Sequence, residues 1–310
     1  MKVVVRVPAS SANIGSGVDT LGLALTLYTT VTFQRLPKGS ALSVRLGRGM
    51  DADLSEEDNY VLVAARKLYE VMGLDFPSFD IHIETDIPFA HGLGSSSAAL
   101  VAGLWGANAF LPSPLSEKEL LQIATDIEGH PDNVVPAALG GFTAAMTDSE
   151  GVLYQSYWAP DLSYIAAVPS YRLSTSKARA VLPRELPLST FIHQQQRACF
   201  LVNCLISREY EQLRRLTVDE VFTPSRRPLM PGSREVCDAA VKAGAYCAFT
   251  SGAGPTMLAM APQKQGERDT RPLLIGAAME QAYRELGIES EILYLRADNQ
   301  GAVVTVLEDD

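Results

Sequence analysis

The stretch Ile87 to Ala99, IPFAHGLGSSSAA, sits between two runs of opposite periodicity. Before it, Phe79, Ile81 and Ile83 alternate with Asp80, His82 and Glu84, which predicts a strand over 79–85. After it comes an alanine-rich run that reads as a helix over 96–110. Between them, Gly92 and Gly94 let the backbone turn tightly and approach a ligand without Cβ interference. Ser95, Ser96 and Ser97 then place hydroxyls at a helix start, whose free amides and dipole favour an anion. Strand, glycine turn and serine-rich helix start together read as a phosphate cradle. The loop carries no lysine, so it is not the G-x-x-x-x-G-K-[ST] pattern, and the compensating charge has to come from elsewhere. A Mg²⁺ ion held by a serine hydroxyl and a carboxylate is the simplest source. Taken alone, a glycine–serine turn serves as well to cap a packed helix.

A second stretch shifts the balance. Glu128 to Gly141, EGHPDNVVPAALGG, crowds Glu128, His130, Asp132 and Asn133 into six residues, with Pro131 fixing the turn. A carboxylate across from the serine loop completes an oxygen-ligand site for Mg²⁺, and Glu128 is the candidate beside Ser96 and Ser97. His130 alone reads as a hydrogen-bonded loop histidine, because His82, His91, His130 and His193 show no metal-ligand spacing. Asp132 and Asn133 also suit the caps of a following helix. Further polar groups gather at three places. PASSANIGSGVDTLG sets Asn13 and Asp19 around a glycine turn; STSKAR puts Thr175 and Arg179 on one helix face; TPSRRPLMPG holds Arg226 and Arg227 between prolines. Ser251 to Thr256, SGAGPT, is a glycine turn between two apolar strands.

The 310 residues, 47% apolar, suffice for roughly two domains with real cores, which excludes collagen, coiled coil and wholesale disorder. Lys and Arg number 26 against 36 Asp and Glu, so a broad basic face for nucleic acid is not expected. The cysteines, Cys199, Cys204, Cys237 and Cys247, have neither CxxC nor zinc spacing and read as small core residues in a reducing cytosol. No export signal is legible at the start, and no apolar run reaches the 18 to 20 residues or so of a membrane span, so a cytoplasmic protein without membrane partners is expected. Strands are expected near 2–7, 29–35, 41–46, 79–85, 142–147, 152–157, 163–169, 245–250, 256–261 and 290–296. Helices are expected near 59–72, 96–110, 117–128, 132–139, 175–182, 190–215, 232–243 and 274–286, with a capping box of Ser116 and Glu119 starting the third. The run 262–271 reads as a solvated loop, and a domain boundary is placed near 157, giving domains 1–157 and 158–310.

At this spacing and in this order, the segments resemble the GHMP small-molecule kinases over nearly the whole chain. Pro88 to Ala98 match P-x-x-x-G-L-G-S-S-x-A, and Ser251 to Thr256 match the family's C-terminal glycine motif. Within the family the pattern is most similar to the branch that phosphorylates L-homoserine, matched at Pro8 to Asp19, Glu128 to Gly141, Thr175 to Arg179 and Pro224 to Pro231. The resemblance implies an α+β fold of two domains, the N-terminal one like domain 2 of ribosomal protein S5 and the C-terminal one ferredoxin-like. It implies transfer of the γ-phosphoryl group of ATP to the homoserine hydroxyl, on the route to threonine, with Mg²⁺ as cofactor and a homodimer as the assembly. It implies ATP binding by Asn59, which would meet adenine, and by Pro88, His91, Gly92, Leu93, Gly94, Ser95, Ser96, Ser97 and Ala98. Amino-acid binding is implied for Asn13, Asp19, His130, Asn133, Thr175, Arg179 and Arg226, with Asn133, Asp132 and Arg179 closest to the chemistry. Asp19 with Arg179 and Arg226 suits a zwitterion, which needs a carboxylate for its ammonium and cationic forks for its carboxylate. No lysine accompanies Asp132, so placement rather than an essential base is expected to drive the reaction. Val18 stands where the pattern commonly has Phe, which implies a slightly wider substrate pocket.

Overall fold

The computed structural model describes residues 1–50, 55–263 and 269–308. Strand β1 (Lys2–Ala12) buries Val3, Val5 and Val7 on one face and exposes Lys2 and Arg6, as alternation requires. It pairs antiparallel with β2 (Leu21–Arg35), and the register shifts between Pro8 and Ala9. Both strands run well past the expected 2–7 and 29–35. The extra length of β1 is PASSA, where Ser10 and Ser11 are fully buried but hydrogen-bonded through their side chains to Asn133 and Ser251, so polarity there does not signal a turn.

β3 (Ser43–Leu46), α1 (Tyr60–Val71) and β4 (Phe79–Thr85) follow, with β3 and β4 parallel. Next come α2 (Ser95–Asn108), α3 (Glu117–Glu128), α4 (Pro131–Leu139) and the hairpin β5 (Phe142–Asp148) and β6 (Gly151–Tyr157). The first sheet has the order β11-β1-β2-β4-β3, with β5 paired to β2 and β6 paired to β5. Its edge strand β11 (Val303–Leu307) comes from the far end of the chain and was not anticipated. The run is short, and most of it is exposed, so its pattern carries no burial signal.

The second sheet holds β7 (Ser163–Pro169), β8 (Cys247–Thr250), β9 (Met257–Ala261) and β10 (Ser290–Leu295), antiparallel in the order β10-β7-β9-β8. Helices α9 (Ser233–Lys242) and α10 (Arg271–Glu285) contribute Val236, Ile275 and Met279 to its core. This strand order, with one helix before β8 and one before β10, is the ferredoxin-like arrangement. Between β7 and β8 lie α5 (Thr175–Ala180), α6 (Leu188–Ser207), α7 (Leu213–Leu216) and α8 (Phe222–Arg226). The expected single helix over 190–215 is broken after Ser207. Arg208 turns left-handed (φ 62°), and the Cys204 thiol donates to the Glu209 carbonyl at 2.8 Å, closing α6 there. Leu201 and Leu213 carry α6 and α7 onto a core that runs from β1 and α2 to Phe249 and Leu258. Of the loop expected at 262–271, residues 264–268 lie outside the described residues. Among the described residues no helix is long and apolar enough to cross a membrane.

Candidate active site

A cavity of about 390 Å³ opens where the loops of the two sheets meet. Its walls come from the β1–β2 loop, the β4–α2 loop, the α3–α4 junction, α5, the end of α8 and the turn after β8.

The β4–α2 loop is held by close backbone approach. Gly94 caps α2 with a left-handed φ of 70°, and a Cβ there would lie 2.1 Å from the Ser10 hydroxyl. At Gly92 (φ 75°) a Cβ would lie 2.3 Å from the Ser251 carbonyl, so both positions admit only glycine. The Ser10 amide donates to Leu93 O at 3.1 Å, and the Ser251 hydroxyl lies 2.7 Å from Gly92 O and 2.8 Å from the Ser11 hydroxyl. The loop is therefore clamped between β1 and the SGAGPT turn. Gly92, Gly94, Ser95 and Ser96 face the cavity. Ser96 and Ser97 both donate to one oxygen of Glu128, at 2.8 and 3.0 Å. Two hydroxyls around one carboxylate oxygen form a set of hard oxygen donors that suits Mg²⁺. Ser96 and Glu128 line the cavity, whereas Ser97 is fully buried beneath them.

The opposite wall carries the charges. Pro131 at the first position of α4 sets the chain so that Asp132 and Asn133 lie in the first turn. Asp132, 1% exposed, holds Oδ1 2.6 Å from His130 Nδ1. Burial works against a charged imidazole there, but the hydrogen bond and charge of Asp132, helped by Glu128, hold the His130 pKa above its ordinary value. The Ser10 hydroxyl donates to Asn133 Oδ1 at 2.8 Å, which leaves the Asn133 amide NH₂ for the cavity. Asp19, Asp132 and His130 each offer an atom within 4.8 Å of the others. Facing them, Arg179 forms a two-point pair with Asp19, Nη2 to Oδ1 at 2.8 Å and Nη1 to Oδ2 at 3.2 Å. That hydrogen bond raises the Arg179 pKa. Arg226 is buried and donates to Ala178 O at 3.1 Å and Gly252 O at 3.3 Å. Burial, reinforced by the nearby Arg179 charge, lowers its pKa.

The structure brings together most of the expected residues and turns others away. Asn13, Asp19, Glu128, His130, Asp132, Asn133, Thr175, Arg179 and Arg226 all line the cavity. Asn13 is already committed at both ends: its Nδ2 donates to Gly252 O at 2.8 Å and its Oδ1 accepts from the Asp19 amide at 3.0 Å. Asn59 is buried and caps α1, accepting from the Val61 and Leu62 amides, while its neighbour Tyr60 lines the cavity instead. The His91 ring turns away to Phe89 O and Pro169 O, at 2.7 and 3.1 Å. Pro88, Leu93, Ser97 and Ala98 shape the loop from outside the cavity lining. Val18 faces a separate apolar groove against Phe191 and Phe222, so its size does not set the width of the charged cavity. Sequence reading singled out the stretches holding Ser10, Ser11 and Ser251 but not the clamping roles of these side chains, and it missed Tyr60. The adjacent serines at the end of an apolar run were the available signal for the first two.

Residues 59–141 match the family model described as GHMP kinases N terminal domain, and residues 204–286 the one described as GHMP kinases C terminal. The homoserine kinase of Carboxydothermus hydrogenoformans is 38% identical over 97% of this chain and 96% of its own. That of Microchaete diplosiphon is 39% identical over the same shares. The crystal structure of homoserine kinase from Cytophaga hutchinsonii superposes with a TM-score of 0.86 at 28% identity, covering 98% of this chain and 97% of that one. A mevalonate kinase, at 13% identity and a TM-score of 0.66 over 96% of this chain and 99% of that one, shares the fold.

Proposed function

Because this chain belongs to the GHMP kinase family and its near full-length relatives are homoserine kinases, we propose that it phosphorylates the side-chain hydroxyl of L-homoserine with ATP, giving O-phospho-L-homoserine. The observation that carries this reading is the placement of Asp19 opposite Arg179 and Arg226 in one cavity with the phosphate loop. An amino acid presents an ammonium and a carboxylate on one carbon, and this wall offers a carboxylate and two guanidinium forks.

The Gly92–Ser96 turn and the start of α2 take the nucleotide phosphates through backbone amides and the helix dipole. Ser96 and Glu128 are the residues that would hold Mg²⁺, which would supply charge neutralisation for the phosphoryl group being transferred. The nucleotide base goes to the start of α1, where Tyr60 lines the cavity and Asn59, whose Oδ1 caps the helix, keeps its Nδ2 for adenine. The ammonium goes to Asp19 and the carboxylate to Arg179 and Arg226. Asn133, fixed by Ser10, aims its NH₂ at the reacting hydroxyl. Asp132 locks His130 rather than acting as a base, so acceleration comes from placement and charge, and the hydroxyl proton leaves late.

ADP release with Mg-ATP should be stimulated strongly by L-homoserine and not by mevalonate, galactose or L-threonine at equal concentration. Stimulation by a different alcohol would keep the ATP site and overturn the roles given to Asp19, Arg179 and Arg226.

A further inference from the structure

Asp19 and Arg179, the groups assigned to opposite charges of the amino acid, spend their hydrogen bonds on each other. They belong to different halves of the molecule. Asp19 follows β1 on a loop pinned through its own amide to Asn13. Arg179 lies on α5, within the connection 170–187 that joins β7 to α6. This connection supplies one wall of the cavity through Leu173, Ser174, Thr175 and Ser176, yet only Leu173 and Ala178 of it are buried. α5 packs extensively against no other helix or strand among the described residues. Besides the ion pair, it is held at the cavity by two bonds, from the Leu173 amide to Ala90 O at 3.3 Å and from Arg226 Nε to Ala178 O at 3.1 Å.

We propose that the connection 170–187 is a lid, that the Asp19–Arg179 pair latches it over the cavity mouth, and that a zwitterionic substrate is admitted by ion-pair exchange. The substrate ammonium takes the place of the guanidinium at Asp19 while its carboxylate takes the place of Asp19 at Arg179. The exchange is cheap in the forward direction because both side chains are only about half buried, 45% and 40% exposed, and such pairs are weak and screened by salt. A ligand with one charge frees two latch groups and satisfies one, whereas a zwitterion satisfies both. Selection for an amino acid with both termini free is then a cooperative property of the latch. The exchange step rests on the amino-acid reading of the cavity; the latch itself does not.

Hydrogen–deuterium exchange on the full chain tests this. In Asp19→Asn and in Arg179→Gln, amides within 170–187 should exchange roughly two- to five-fold faster while those of β1 and β7 stay unchanged. Adding about 0.5 M NaCl should do the same to the unmodified protein by screening the pair. L-homoserine should slow exchange in 170–187, and 4-hydroxybutanoate and 3-aminopropan-1-ol at the same concentration should not. Unmoved exchange in both variants, or a rise spread evenly over all peptides, would overturn the latch even if homoserine-dependent ADP release persists. Loosening in both variants without any protection by homoserine would keep the latch and count against the amino-acid reading.

Discussion

Arg226 and Arg179 carry the same charge in one cavity but differ in what holds them. Arg226 is buried, donates to Gly252 O and to Ala178 O of α5 and, among the described residues, meets no carboxylate at ion-pair distance, so its charge is uncompensated by a direct partner. Arg179 stands on a short, largely exposed helix with Asp19 as partner. Hydrogen bonds to charged groups are worth about 1.5 to 3 kcal/mol, so Arg179→Ala should lower kcat/KM for homoserine roughly 10- to 150-fold with the KM for ATP near wild type. An equal loss for ATP would mean that Arg179 serves the other substrate. Asp132→Asn keeps a hydrogen-bond acceptor for His130, so kcat should fall by less than the hundred-fold or more that loss of a general base typically costs. Abolished turnover with normal binding of both substrates would make Asp132 the base. The charged residues of the site were legible because each sits in a short stretch dense with polar groups. Their partners were not, since Ser10 meets Asn133 across 123 positions and Asn13 meets Gly252 across 239. Asn59 shows why a helix start is ambiguous: its Oδ1 caps α1, a role that the same residue type fills with or without a ligand beside it.

Elements were easiest to read where periodicity and caps agree. The α3 start is one such place: the Ser116 hydroxyl accepts from the Glu119 amide, and Glu119 Oε2 accepts from the Ser116 amide at 2.8 Å. The Ser116 hydroxyl and amide hold the Glu119 carboxyl below its usual pKa, so the stability that this bond adds is present above the unfolded carboxylate range and lost as pH falls through the lowered value. Ser116→Ala should therefore lower Tm by about 2 °C at neutral pH and by less below about pH 4, with turnover unchanged. Equal deficits at both pH values would deny the carboxylate its part. The thiols test burial in the helices and strands the same way. Burial pushes the Cys237 and Cys247 thiols up to about 12, and it also raises Cys204, while Cys199 lies exposed on α6. Iodoacetamide at pH 8 should label one thiol per native chain quickly, at Cys199, and all four only after unfolding. The break in α6 escaped the sequence because its apolar spacing continues across Arg208, and neither the left-handed backbone there nor the Cys204 thiol bond to Glu209 O leaves a mark in that spacing.

At the scale of the whole molecule, the chain does not divide at its midpoint as a sequential reading suggests, because β11 returns to the first sheet. Its five register pairs, from Lys2↔Leu307 to Arg6↔Val303, cover the outer side of β1, whose Val3 and Val5 are fully buried. The path back is stitched through Asp298. Its amide donates to Ala24 O at 3.0 Å, its carbonyl accepts from Gly141 at 2.7 Å, and its carboxylate accepts from the Tyr28 hydroxyl at 2.9 Å. Just beyond it, Gly301 (φ 74°) passes so near the end of α4 that a Cβ would lie 2.3 Å from Ala138 O. These contacts hold one end of α4 while Asp132 and Asn133 stand at its other end, so the last strand supports the site at a distance of one helix. Removing residues 302–310 should leave a folded protein with a lower urea midpoint. It should also associate at high concentration through the uncovered β1 edge, an open row of backbone donors and acceptors. Its kcat should fall while the KM for ATP changes little, since the phosphate loop is clamped by Ser10 and Ser251 and not by β11. Residues 1–157 alone lack β11, the Asp298 stitch and the Ser251 clamp together, and should fail to give a cooperative urea transition. A cooperative transition from that fragment, with dispersed amide resonances, would show that the first sheet closes without the returning strand.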